Sequence, residues 1–322
     1  MENIYDTIII GSGPAGLTAG IYNARAALKT MVIAGDQPGG QLTITTFVGN
    51  YPGFPNGVGG VKLMMDTQAQ YTKLGGEIKN GKVKKIQKSK IFEIELEDGT
   101  NLQGRAVIVA TGAGARWLNV PNEKELIGHG ISGCATCDGM FFKDKTVAIV
   151  GGGDVACVEG DFLTKFATKV YFIHRRDQLR AQVPQKKLVE NNPKIEFVWN
   201  TEVVGINPSP ADAGAPLDKG AKLENIKIKN NKTGEEKTLV VDGLFVAIGR
   251  IPATGFLKGL VELKEAGHII IGKDPIYLSM TSVPGIFAAG DCVDDVYRQG
   301  IIAAGDGAKA GLDAEKWMRE QK

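Results

Sequence analysis

Cys134 and Cys137, in the run Cys134-Ala135-Thr136-Cys137-Asp138-Gly139, have the spacing most suited to chemistry in this chain. Two intervening residues let the sulfurs close into a small disulfide ring and open again. One thiolate can then attack a partner's disulfide while the other resolves the mixed intermediate. Zinc is the competing use of such a pair, but zinc normally takes four ligands. No second Cys-x-x-Cys or Cys/His pair accompanies this one, and His129 alone does not complete a site. Asp138 follows the second cysteine directly. A carboxylate there can carry the proton that thiol–thiolate exchange moves; beside Gly139 it also reads as a turn cap. Cys157 and Cys292 have no partner in sequence and read as small buried residues.

A dithiol that works repeatedly needs an electron source, and two stretches supply candidates. Thr7-Ile8-Ile9-Ile10 is a short apolar run leading into Gly11-Ser12-Gly13-Pro14-Ala15-Gly16, followed by a helix-compatible stretch and a second apolar run at Thr30-Met31-Val32-Ile33. Strand, glycine turn, helix and strand make a dinucleotide-binding βαβ unit. Its glycines permit the tight turn, the approach of backbone to pyrophosphate and close helix–strand packing, with the phosphates on the helix N-terminus. The same order recurs at Thr146-Val147-Ala148-Ile149-Val150, then Gly151-Gly152-Gly153-Asp154-Val155-Ala156, a helix to about Lys165, and a strand over residues 169–174. One such fingerprint is weak evidence; two, each between a strand and a helix, are strong.

The residues past each fingerprint bear on which nucleotide it holds. About 20 positions beyond the second, an acid would accept a bond from the ribose hydroxyl of NAD. Here His174-Arg175-Arg176 fills the place, with Arg180 one helical turn further. Guanidinium forks suit a 2′-phosphate, hence NADPH, although a solvated basic loop has the same composition. The first unit carries Val32-Ile33-Ala34 where an acid is usual, so it does not by itself separate FAD from NAD. The C-terminal segment favours FAD. An apolar run ends in Gly290-Asp291, whose carboxylate can accept bonds from ribityl hydroxyls. Tyr297-Arg298-Gln299-Gly300 then opens a helix whose dipole would favour negative charge on a flavin.

Taken together, these residues resemble the low-molecular-weight (bacterial-type) thioredoxin reductases over essentially the full length. The shared motifs are Gly11 to Gly16, Gly39-Gly40-Gln41-Leu42, Asn50-Tyr51-Pro52-Gly53, Ala110-Thr111-Gly112-Ala113, Cys134 to Gly139, His174-Arg175-Arg176, and Gly290-Asp291 with Tyr297-Arg298-Gln299. The resemblance implies a homodimer. It implies FAD held by the first fingerprint, Gly39 to Leu42, Asn50, Val83, Ala110 to Gly112, Gly290, Asp291 and Arg298 to Gly300. It implies NADPH held by Gly151, Gly153 to Ala156, Glu159, His174, Arg175, Arg176 and Arg180. Cys137 would lie nearer the flavin and Cys134 would attack thioredoxin. Five positions depart from the family's usual residues: Gly49, Asp154, Gly300, Asp306 and Ala308.

The expected architecture is α/β: two Rossmann-like domains of three-layer ββα form. An FAD domain over 1–113 and 245–322 would contain an inserted NADPH domain over 114–244. The runs 106–112 and 243–249 would mark the crossings, and residues 207–222 a loop between strands of the inserted domain. Both the dithiol and the NADPH fingerprint belong to the insert and must meet one flavin, so rotation between two states is expected. The composition, 43% hydrophobic and 23% charged with a net charge of +2, supports an ordinary core and no nucleic-acid partner. The N-terminus has no basic region before its first strand and no run long enough to span a bilayer, so a cytoplasmic enzyme is expected. The alternatives are a reductase of another protein disulfide, such as a peroxiredoxin or glutaredoxin-like protein, a flavin dithiol oxidase, and a non-catalytic zinc-binding flavoprotein.

Overall fold

A computed structural model describes residues 4–45, 47–209 and 221–321. The chain divides into two compact units, one of Met1–Gly114 with Ile251–Lys322, the other of Ala115–Arg250.

The first unit opens with β1 (Ile4–Ile10), whose last four residues are all buried, as a parallel strand covered on both faces requires. Gly11 turns the chain at φ +111°. A Cβ there would lie 2.2 Å from the Ala110 carbonyl oxygen, so glycine is the residue that fits. α1 (Pro14–Arg25) starts on proline, where a missing N–H costs nothing. β2 (Thr30–Ile33), α2 (Gly60–Lys73), β3 (Glu77–Lys79), β4 (Val83–Lys88), β5 (Phe92–Leu96) and β6 (Asn101–Val109) follow. Strands β3, β2, β1 and β6 run parallel, and β5 and β4 continue antiparallel from the first half of β6. Alternation along β1 sorts the layers. Ile9 packs toward α1, whereas Ile8 and Ile10 pack with Ile86 and Ile94 of the antiparallel layer. β7 (Ala113–Ala115) then leaves the unit.

The second unit contains β8 (Ile131–Ser132), α3 (Ala135–Asp138), β9 (Thr146–Gly151), α4 (Asp154–Leu163), β10 (Lys169–His174), α5 (Val183–Glu190), β11 (Ile195–Trp199), β12 (Thr201–Pro208), β13 (Leu223–Asn230), β14 (Glu236–Val240) and β15 (Gly243–Ala247). Its parallel sheet has the order β11-β10-β9-β15-β8. Val147 and Ile149 of β9 face Ala156, Cys157 and Leu163 of α4. Ala148 and Val150 face Val203, Ile226 and Ile228 of the antiparallel β12-β13-β14 layer. Both units are thus helix, parallel sheet and β-layer. Strands β12 and β13 flank the segment predicted as a loop, whose centre, 210–220, lies outside the described residues.

The chain returns through β16 (Arg250–Pro252), which pairs with β7, and adds β17 (Ile286–Ala288) beside the second half of β6. It ends on α6 (Gly300–Glu320). A stripe of small residues brings α6 onto α1: a Cβ on Gly307 would lie 2.0 Å from Ala15 O, and Asn23 Nδ2 donates to Gly311 O at 2.6 Å.

The second boundary expected from sequence, 244/245, is six residues early; the units divide after Arg250. The reason is β15, which pairs with β9 from Gly243 to Ala247 and so belongs to the inserted sheet. The first boundary moves by one residue, to Gly114.

Candidate active site

In the second unit the dithiol is held by the sheet edge before it and by an aromatic anchor after it. β8 pairs with β15, Ile131 beside Leu244 and Ser132 beside Phe245, and delivers the chain into Cys134. Phe142 packs edge-on to Phe245 at 5.2 Å and lies where a Cβ on Gly243 would be. Cys134 and Cys137 form a disulfide with Cα atoms 5.3 Å apart, within ordinary bonding reach, and both residues are half-buried. Ser132 links the strand to the motif. Its hydroxyl donates to Asp138 Oδ2 at 2.5 Å and accepts from Cys134 N at 3.0 Å. Arg250 donates to Gly133 O at 3.1 Å. Burial pushes the Asp138 carboxyl above the usual carboxylate range, against the lowering effect of the Ser132 hydroxyl. Cys157 and Cys292 are buried with free thiols, each pushed up to about 11 by burial, so neither is a ready nucleophile.

The second fingerprint lies in the same unit. A Cβ on Gly151 would lie 2.5 Å from Ala247 O, and one on Gly152 would strike the His174 ring. Gly153 precedes α4 without a side-chain cap, and a Cβ on it would meet nothing within 4 Å. This uncapped, uncovered helix end has the free N–H groups a pyrophosphate needs. Val155 is partly exposed on α4, Ala156 is buried and Glu159 is half-buried. Arg175, Arg176 and Arg180 are all exposed, whereas His174 is buried, packed over Gly152, with Nε2 unbonded among the described residues. Asn200 N donates to Arg176 O at 3.0 Å, which fixes the arginine loop from behind.

The first fingerprint has the same form in the other unit. Gly13 gives α1 no side-chain cap, and the nearest atom to a Cβ on it would be Gly40 Cα at 3.9 Å. Ser12 donates to Ala34 O and accepts from Gly39 N, both at 2.9 Å, so the loop carrying Gly39 and Gly40 is tied to the fingerprint. Gly40 stands at φ +68° with its would-be Cβ 3.0 Å from Gly13 Cα, a backbone-to-backbone approach. Leu42 packs near Gly300, and Asn50 Nδ2 donates to Gln299 Oε1 at 3.1 Å. Ala110 N donates to Ile10 O at 2.8 Å and Ala253 N to Gly112 O at 3.0 Å, which places Ala110, Thr111 and Gly112 beside the turn at Gly11. Gly290 reaches the same helix, its would-be Cβ 3.0 Å from that of Ala15, and half-buried Asp291 follows. These cradles, which side chains would fill, fit FAD here and NADPH at the other fingerprint. Val83 differs: its side chain is buried in the apolar core, which leaves only its backbone to offer a ligand. Asp36 pairs with Lys82 at 3.3 Å.

Sequence reasoning missed Asp294. Its carboxylate accepts from the N–H groups of Val296, Tyr297 and Arg298, and holds Arg298 at φ +53° just before α6. Burial raises its pKa, but those three donors outweigh burial and leave it below the ordinary value. An aspartate two residues before the Val-Tyr-Arg run is an Asx-turn signal that would have revealed it. Ser132 carried no such signal, since its partner is fixed only by β8.

The profile of the pyridine nucleotide-disulphide oxidoreductase family matches residues 5–307. A thioredoxin reductase of Mycolicibacterium smegmatis is 44% identical over 99% of this chain and 98% of its own length. A bifunctional thioredoxin reductase/thioredoxin of Mycobacterium leprae is 43% identical over 99% of this chain and 67% of its own length. The crystal structure of a thioredoxin reductase from Streptococcus pyogenes superposes with a TM-score of 0.89 at 39% identity, covering 99% of this chain and all of that one. A paired dithiol, two glycine cradles and full-length similarity agree: the chain belongs to the thioredoxin reductases of the pyridine nucleotide-disulphide oxidoreductase family.

Proposed function

We infer that the chain is an NADPH- and FAD-dependent thioredoxin-disulfide reductase. The observation that carries this reading is the bonded Cys134–Cys137 pair beside Asp138, in one unit with an arginine-flanked nucleotide fingerprint. FAD, when bound, supplies the two-electron exchange that links the nicotinamide to the dithiol. The residues of the chain do the rest. Arg175, Arg176 and Arg180 read the 2′-phosphate, and the α4 N-terminus receives the pyrophosphate. Once reduced, Cys134 attacks the thioredoxin disulfide and Cys137 resolves the mixed disulfide. Asp138, its pKa raised by burial, holds a proton for the departing thiolate more readily than an exposed aspartate. The bifunctional relative supports thioredoxin as substrate, since its name joins both activities in one protein.

A homodimer in the cytoplasm completes the proposal. It rests on kinship with the family and on the chemistry of a dithiol that must be re-reduced in every cycle, which suits a compartment that keeps thiols reduced. No helix among the described residues is long and apolar enough to cross a membrane. We further propose that dithiol and nicotinamide take turns at one flavin through rotation about the strands at 113–115 and 250–252. A crosslink between the two units should then stop turnover while leaving nucleotide binding intact; full turnover in the crosslinked enzyme would sink the rotation.

The direct experiment is NADPH-dependent reduction of thioredoxin. Wild type should turn over. Cys134→Ser and Cys137→Ser should stay yellow, bleach with NADPH under anaerobic conditions, and fail on thioredoxin. Arg175→Ala/Arg176→Ala should lose NADPH affinity and discriminate less against NADH. Thioredoxin turnover by either cysteine variant would overturn the proposal.

A further inference from the structure

Asp154 is the first residue of α4, at the end where a bound pyrophosphate would lie. A carboxylate here complements the positive end of the helix itself, but it repels an anionic ligand. Its Oδ1 is not without a partner: it accepts the Gln182 N–H at 2.7 Å. Two backbone bonds run beside this one. Arg180 N and Ala181 N both donate to Gly152 O, at 2.7 and 3.1 Å. Leu179 and Ala181 are buried, and Arg180 between them is exposed. Residues 179–182 therefore form a strap fastened along the fingerprint loop, with the Arg180 side chain projecting from it. The carboxylate is one of its fastenings and, being charged, accepts a stronger bond than a neutral group would.

We propose that Asp154 is a positioning residue for nucleotide selectivity: it anchors the strap that presents Arg180 to the 2′-phosphate, and in doing so weakens the hold on the pyrophosphate common to all pyridine dinucleotides. This rests on the NADPH reading of residues 151–180. The two effects separate chemically. An asparagine oxygen accepts the same Gln182 N–H without the negative charge, whereas alanine removes both bond and charge.

The test is calorimetric binding of NADP⁺, NAD⁺ and 2′-AMP to the full-length, FAD-loaded protein and its Asp154→Asn and Asp154→Ala variants. No turnover is needed, and 2′-AMP carries the discriminating phosphate without a pyrophosphate. Asp154→Asn should bind NADP⁺ and NAD⁺ both roughly three- to tenfold more tightly, the scale of one nearby like charge removed. Its NADP⁺/NAD⁺ ratio and 2′-AMP affinity should stay at the wild-type level. Asp154→Ala should bind NAD⁺ more tightly yet lose several-fold in both the ratio and 2′-AMP affinity. An unchanged ratio in the alanine variant, or unchanged dinucleotide affinity in the asparagine variant, would overturn the proposal. So would an asparagine variant that loses selectivity as far as alanine does. A wild-type protein with no preference for NADP⁺ would instead remove the NADPH reading, and this inference with it.

Discussion

At the scale of single residues the chemistry turns on Asp138 and the hydroxyl that holds it. Burial raises its pKa and the Ser132 O–H, which bonds the charged form, lowers it. Ser132→Ala removes the opposing influence, so Asp138 should titrate at higher pH still. The limb of the pH–rate profile of thioredoxin reduction that belongs to Asp138 should move to higher pH, and an unmoved limb would assign it elsewhere. Asp138→Asn cannot release or take up this proton and should lower turnover roughly 100-fold, the usual weight of one general acid–base group. Pre-steady-state reduction of thioredoxin by the prereduced variant would measure it. Asp138 was visible in the sequence because it adjoins Cys137. Ser132 was not, because it lies six positions and a turn away from the carboxylate it binds.

At the scale of elements, the contact between α1 and α6 carries the first nucleotide cradle. Gly307 sits where a Cβ would lie 2.0 Å from Ala15 O, inside the helix that begins at the fingerprint. Gly307→Ala must push the helices apart and should cost about 1–3 kcal/mol, as overpacking of a closed interface does. Gly305, two residues away and exposed, has nothing within 4 Å of a would-be Cβ. Gly305→Ala should stabilise by about 0.5–1 kcal/mol through helix propensity alone. Thermal unfolding of the two variants should shift in opposite directions; a common sign would mean that helix propensity, not packing, dominates α6. The helices themselves were legible, α1 as the helix-compatible stretch after the first glycine turn and α6 as the run opened by Gln299-Gly300. Which of two nearby glycines is indispensable was not, because that depends on the partner helix.

At the scale of the molecule, pH stability is set partly by two buried histidines, one in each unit. Burial holds both His174 and His268 below the ordinary histidine value. Neither His268 ring nitrogen, nor His174 Nε2, has a hydrogen-bond partner among the described residues. For a base with a depressed folded pKa, the unfolded chain takes up the proton first. Stability is therefore full above about pH 6.5, the unfolded value, and declines as pH falls toward the folded one. A second decline begins below about pH 3.9, where Asp294 and Asp295, both held low in the fold, must protonate. The urea midpoint should accordingly start to fall below about pH 6.5, and His268→Phe should flatten that first decline for the first unit alone. A midpoint level down to pH 5 would show that the histidines contribute nothing.

Local chemistry was enough for the sequence to determine the dithiol, both glycine turns, the arginine run and the α/β class. Each needs only residue types at short, fixed spacings: two sulfurs three apart, glycines at a strand end, short continuous apolar runs before them. The tertiary structure alone decided where the insert ends, because β15 is buried and apolar whichever sheet it joins, and only its pairing with β9 assigns it. It likewise decided that Ser132 serves Asp138 and that Asp154 fastens the Arg180 strap. The last of these joins residues 28 positions apart. Hydrogen bonds over such separations depend on how strands are ordered in a sheet, and that order is fixed by packing of the whole chain.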